Sequence, residues 1–109
     1  MYEVITLVGS TRIGKPIWEK IEENLTLNGN IVLTVNVWGM YDFLHHEDGK
    51  QMMFMFDKMM KQKIDMSDRI CVLVKDNRIG ESSKKYIKYA RKCLLPVDFI
   101  EIKGEGYYR

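Results

Sequence analysis

Cysteine is scarce in this chain. Only two occur in 109 residues, Cys71 inside an apolar run and Cys93 near a helix end, and neither their number nor their spacing makes a zinc site or a disulfide framework. Both read as reduced packing residues. An excess of one charge sign is also missing: 17 Lys and Arg against 15 Asp and Glu leave a net +2, too little to build a nucleic-acid footprint. The basic cluster Lys84, Lys85, Lys88, Arg91 and Lys92 reads as a solvated helix face. Apolar runs are far too short to cross a bilayer, while 46% hydrophobic and 29% charged residues exclude disorder. No charged leader or apolar signal core precedes the first strand pattern, so a cytoplasmic location is expected. Internal repeats, low-complexity segments and metal-ligand spacings are lacking as well, and neither a metal nor a cofactor is expected.

What is present is an alternation of periods. Tyr2 to Val8 reads as a buried strand, and Ile17, Ile21 and Leu25 recur every four residues as the inner stripe of a first helix. Pro16 opens that helix and Asn28-Gly29 stops it. Ile31 to Val37 is a second strand, emptying into a segment, Trp38 to Lys50, that is loop-like in composition yet carries Trp38, Met40, Tyr41, Phe43 and Leu44. His45 and His46 in that segment read as surface histidines, or as groups able to touch a base or carry protons. Gln51 to Asp65 is a methionine-rich helix, Arg69 to Lys75 a third strand, Ser82 or Ser83 to Cys93 a third helix with Ile87, Ala90 and Leu94 inward, and Val97 to Ile102 a last strand after Pro96. Strands and helices in this order predict one α/β domain, residues 1–103, with a mainly parallel sheet, followed by the tail 104–109. The tail is left open between a flexible end and a docking arm.

Ligands of such sheets sit at the carboxyl ends of the strands, where the chain order reverses, so Gly9 to Lys15, Val37 to Asp48 and Asp76 to Ser83 are expected to gather there. Gly9-Ser10-Thr11-Arg12 follows the first strand and precedes a helix. Backbone N–H groups and a positive dipole end suit a phosphate or carboxylate at such a turn, and Arg12 adds a forked cation. The plainer alternative is a tight turn and cap, since neither the full dinucleotide glycine pattern nor a Walker lysine-hydroxyl pair is present. Gly80, Ser82 and Ser83 form the second expected phosphate-binding group, Ser82 and Ser83 through hydroxyls and N–H groups, with an ordinary N-cap as the alternative. The methionine-rich helix has two apolar faces, more than one sheet requires. The expectation is core on one side and a subunit contact on the other, a homo-oligomer through residues 51–64; the minority alternative is a methionine-lined ligand pocket.

The residues Ile5-Thr-Leu-Val-Gly-Ser-Thr-Arg12, Leu25-Thr-Leu-Asn-Gly-Asn-Ile-Val32, Lys63-Ile-Asp-Met-Ser-Asp68, Ile79-Gly-Glu-Ser82, Tyr89-Ala-Arg91 and Pro96-Val97, in this order and spacing, resemble the nucleoside 2-deoxyribosyltransferase superfamily, from about Val4 to Ile102. The resemblance implies a flavodoxin-like or Rossmann-like three-layer sandwich, an oligomer, and a small-molecule nucleoside or nucleotide near the strand ends; from the balanced charge and short apolar runs, neither nucleic acid nor membrane is expected as a partner. It implies attack at the anomeric carbon of the sugar, displacing the base, by a glutamate on the third helix. A carboxylate suits that work because it stabilises and can capture an oxocarbenium-like state. Here the position falls on Tyr86, whose phenol, with an ordinary pKa near 10, is neutral at pH 7. A second polar position falls near Met60 and is lost too. Asp65 and Asp68 match the pattern, with a structural alternative for each: Asp68 by ending the helix or starting the strand through backbone N–H groups. Glu81 is the nearest replacement carboxylate, or else a first-turn glutamate favoured by the helix dipole. Tyr86, Glu81 and Asp65 are therefore the candidate catalytic residues. Three functions follow in order: an enzyme of the N-glycosidic bond, a non-catalytic nucleotide- or phosphosugar-binding module, and, at low weight, a flavin reductase in which the Gly-Ser-Thr-Arg turn holds FMN phosphate.

Overall fold

The computed structural model describes residues 1–35 and 49–103, together with the backbone of 106–108. Strand β1 (Val4–Val8) leads through a short 3-10 turn (Thr11–Ile13) into helix α1 (Lys15–Leu27) and then strand β2 (Ile31–Leu33). Helix α2 (Gly49–Asp65), strand β3 (Arg69–Lys75), helix α3 (Glu81–Lys92), strand β4 (Val97–Lys103) and strand β5 (Gly106–Tyr108) follow. The sheet order is β2-β1-β3-β4-β5. β1 runs parallel to β2 and β3, and β3 parallel to β4, while β5 returns antiparallel on the outer edge of β4. This is the mainly parallel, flavodoxin-like α/β arrangement expected from the sequence.

The period-2 alternation of the strands explains the layers. Ile5, Leu7, Cys71, Leu73, Ile100 and Ile102 form one cluster with Trp18, Ile21 and Leu25 of α1. Val8, Ile70 and Val72 point the other way, onto Met60 and Ile64 of α2 and Ile87 and Ala90 of α3. Both sides of β1 and β3 are thus buried, which is why these strands read as continuous apolar runs. Thr6 is the exception on the α2 side. Its buried hydroxyl shares a 2.5 Å hydrogen bond with Ser67, so its burial is compensated.

At the amino ends of the strands, polar groups fix the frame. The Asp68 carboxylate accepts a 2.8 Å hydrogen bond from the Val4 N–H, the structural role open to it from the sequence. Arg69 is paired with both Glu3 and Asp98. All of this lies at the end of β1 and β3 remote from their carboxyl-terminal loops.

Several boundaries differ from the expected ones, for local reasons. β1 begins at Val4, leaving Tyr2 73% exposed, and β2 closes at Leu33. Val37 and residues 38–48, His45 and His46 among them, lie outside the described residues, while Gly49 and Lys50 belong to α2. Leu94 does not face inward: α3 stops at Lys92, and Leu94 is 90% exposed with φ 62°. The tail supplies β5, pairing Tyr107 with Ile102 and Tyr108 with Glu101.

Candidate functional site

The strand order reverses between β1, which is followed by β2 on one side, and β3, which is followed by β4 on the other. Ligands of open parallel sheets settle in the crevice at the carboxyl ends of such a pair. A cleft of about 770 Å³ opens there, lined by Val8 through Arg12 after β1, by Gly80 through Ser83 with Lys85 and Tyr86 on α3, and by Met53, Phe54, Phe56, Asp57, Met59, Met60 and Lys63 on α2. Gly9, Ser10, Thr11, Arg12, Gly80, Glu81, Ser82, Ser83 and Tyr86, singled out from the sequence, are all brought to it. Asp65 is not. Its carboxylate accepts a 2.6 Å hydrogen bond from the Tyr89 hydroxyl, away from the cleft lining.

The β1 loop owes its path to a close approach and an anchor. A Cβ on Gly9 would lie 2.8 Å from Leu73 Cβ and 3.3 Å from the Trp18 ring, so the strand end presses on its neighbours where only glycine fits. The Trp18 indole then donates to the Ser10 carbonyl at 3.1 Å. Ser10 caps the 3-10 turn, its hydroxyl accepting from the Arg12 N–H at 3.1 Å, while the Ile13 and Gly14 N–H groups bond back to Ser10 and Thr11. These three amides are engaged inside the turn, and Arg12 is exposed at its rim.

On the facing side, α3 starts at Glu81 with Gly80 as its N-cap, and no side chain among the described residues caps it. Its opening N–H groups are thereby left for another acceptor. A Cβ on Gly80 would meet nothing within 4 Å, so this glycine leaves open space at the cleft mouth. Ser83 is buried, only 3% exposed, and its hydroxyl makes no hydrogen bond among the described residues. Glu81 stands exposed beside Lys84, 3.4 Å away.

The group sequence reasoning missed is Asp57. It occupies the core-facing spacing Met53, Asp57, Met60, Ile64 along α2, and an acid within such a stripe is the signal that was available. Lys85 Nζ is 3.1 Å from one of its oxygens and Lys61 Nζ 3.3 Å from the other. Burial opposes ionisation of the carboxyl, but Lys85, Tyr86 and Lys61 outweigh it and hold Asp57 below the usual carboxylate range. Burial also pushes the Tyr86 phenol well above its ordinary value, and the Asp57 charge pushes it further. Tyr86 is consequently less able to ionise here than in water. Lys63, lowered by burial, donates to the Thr34 carbonyl at 2.6 Å.

Taken together, the cleft has an apolar methionine and phenylalanine wall, and its charged lining is Arg12, Lys50, Lys63 and Lys85 against Asp57 and Glu81. Such a lining accepts an anion at its mouth and a flat apolar group along the wall. In comparison with known proteins, the sequence matches no family model and no curated protein.

Proposed function

We infer that the protein binds a nucleoside or its monophosphate in this cleft, and that the reaction open to it is at the N-glycosidic bond. The observation that carries the reading is the meeting, at the switch point, of two donor-bearing turns with the apolar wall of α2. The uncapped start of α3 and Arg12 suit a phosphate, and the wall suits a base. The resemblance of the sequence to the nucleoside 2-deoxyribosyltransferase superfamily supplies the same substrate class. Association of two copies through α2 belongs to this reading.

A second reading, binding without turnover, is favoured by Tyr86. The phenol stands in the cleft where the resemblance places a carboxylate, and its surroundings push it away from ionisation. A neutral phenol is a poor nucleophile.

Calorimetric titration of 2′-deoxyadenosine and its 5′-monophosphate, with chromatography for free adenine, tests both readings. The monophosphate is expected to bind about tenfold or more tightly, the scale of one charge-assisted contact, with little or no adenine released. Tyr86→Glu is expected to create or raise release. Equal affinities would remove the phosphate argument. Robust release by the unaltered protein would defeat the second reading, and its survival in Tyr86→Phe would point to another group.

A further inference from the structure

Lys85 is held by a partner that does not need it. Its Nζ lies 3.1 Å from Asp57 Oδ1, but Lys61 Nζ is 3.3 Å from Asp57 Oδ2, and Tyr86 also interacts with this carboxylate. An ionised carboxylate offers about four lone-pair sites, and the loss of one of three partners leaves it with two. Confinement of the pair is unequal: the Asp57 side chain is 18% exposed and that of Lys85 56%. The acid is fixed in the cleft wall, and the lysine is a point charge on a flexible four-carbon stem.

A second observation lies at the same end of α3. Ser83 is 97% buried, lines the cleft, and has a hydroxyl without a hydrogen bond among the described residues. An open hydroxyl at the wall of this cleft, beside helix N–H groups that no described side chain caps, is placed to donate to an acceptor seated in the cleft.

We propose that Lys85 is the exchangeable phosphate ligand of this cleft: it rests on Asp57 in the empty protein and passes to a phosphate seated against Ser83 and the first N–H groups of α3. This rests on the reading of the cleft as a nucleotide site, and it specifies how the phosphate is selected. A phosphate monoester carries about −1.5 to −2 charge at pH 7, more than the single charge of a carboxylate, so the exchange runs toward the ligand. Asp57 keeps Lys61 and Tyr86, so no buried charge is orphaned. Asp57 is then a competitor of the ligand and not a contact to it.

The test is calorimetry on Lys85→Met, Asp57→Asn and the double variant, with 2′-deoxyadenosine 5′-monophosphate, 2′-deoxyadenosine and inorganic phosphate at one fixed low salt concentration. Thermal melts establish folding, and Lys85→Gln replaces Lys85→Met if the latter does not fold. Lys85→Met is expected to weaken the monophosphate about tenfold, as for a charge-assisted contact, and to leave the nucleoside unchanged. Asp57→Asn is expected to tighten the monophosphate severalfold, and that gain is expected to vanish in the Lys85→Met background. A gain that persists there would reflect only the removed negative charge and would overturn the exchange, as would weaker binding by Asp57→Asn. If the unaltered protein prefers the monophosphate but the variants match it, the nucleotide reading stands and the exchange falls. If the monophosphate binds no better than inorganic phosphate while both show the variant pattern, the exchange stands and the nucleotide reading falls. Absence of binding by every phosphate probe would overturn both.

Discussion

Two helix ends in this protein use the same hydrogen-bond pattern with different residues at the strained position. At the end of α1, Gly29 sits at φ 89°, with the Asn30 N–H bonded to the Leu25 carbonyl at 3.1 Å and the Gly29 N–H to that of Thr26 at 3.0 Å. At the end of α3, Leu95 and Leu94 repeat these bonds to Ala90 and Arg91 at 2.9 and 3.0 Å, with Leu94 at φ 62°. Both are Schellman closures, in which glycine is the favoured residue at the left-handed position. Leucine there costs roughly 1–2 kcal/mol, and its side chain is 90% exposed, so little packing is lost on its removal. Against this, glycine loses about 0.4–1 kcal/mol through its looser unfolded state. Leu94→Gly is therefore expected to stabilise the protein by about 0.5–1 kcal/mol, read as a rise of a few degrees in Tm. An unchanged or lower Tm would show that Leu94 has a packing role. The contrast also explains what the sequence disclosed. Asn28-Gly29 announces a stop in its residues, whereas the stop at Lys92 has no glycine, and the apolar period running on to Leu94 predicts an inward residue that the backbone instead turns out.

α2 and α3 are tied by side chains that titrate at opposite ends of the pH scale. Asp57 joins Lys85, and Tyr89 joins Asp65 and lies with its ring centroid 5.7 Å from Lys61 Nζ. The hydrogen bond to Asp65 pushes the Tyr89 phenol from 10.0 up to about 12, and burial raises Tyr86 as well. A raised folded value contributes stability that is complete below the unfolded pKa and lost as pH climbs through the folded one. For Tyr89 this places the loss between about 10 and about 12. Asp57, lowered in the fold, acts in the reverse sense: its contribution is present above the ordinary 3.8 and disappears on acidification below it. Ultraviolet absorbance titration is expected to show late tyrosine ionisation, with one late step missing in Tyr89→Phe. Ordinary titration of all six tyrosines would mean that the α2–α3 contacts do not persist in solution. The elements from β1 to β4 were readable from period and punctuation, and so were the two turns of the cleft, Gly9 to Arg12 and Gly80 to Ser83, whereas β5 was not, its residues reading only as a tail. Asp57 was not read, because a single acid among Met53, Phe54, Met55, Phe56, Met59 and Met60 is masked by the apolar composition of its helix. Trp18 was not read, although it stands at i, i+3 and i+7 with Ile21 and Leu25 on one helix face, where it is 1% exposed and its indole holds the Ser10 carbonyl of the β1 loop.

At the scale of the molecule, the open question posed by the sequence is what covers the second apolar face of α2. Met60 and Ile64 are buried in the sheet contact, whereas Phe54 is 62%, Met55 48% and Met59 46% exposed. Met55 and Met59 are four residues apart and share one helix face, to which Met66 adds a third exposed methionine, 60% accessible, just past the helix end. Exposed apolar side chains in one patch favour association, and α2 of a second copy related by a two-fold axis offers a matching surface. Light scattering at micromolar concentration is expected to report a dimer, and Met55→Lys with Met59→Lys to return it to a monomer that remains folded by circular dichroism. A monomeric unaltered protein would overturn the interface and leave Met59 to the cleft alone. The two roles are physically linked, because Phe54 and Met59 also line the cleft. An interface built on them would stand at the mouth of the binding site, so ligand and partner act on shared side chains. Linkage then requires reciprocity: if nucleotide changes the dimer dissociation constant by some factor, dimerisation changes nucleotide affinity by the same factor. Sedimentation with and without saturating 2′-deoxyadenosine 5′-monophosphate measures the first, and calorimetry at protein concentrations either side of the dissociation constant measures the second. A dimer constant indifferent to nucleotide would separate the α2 interface from the cleft.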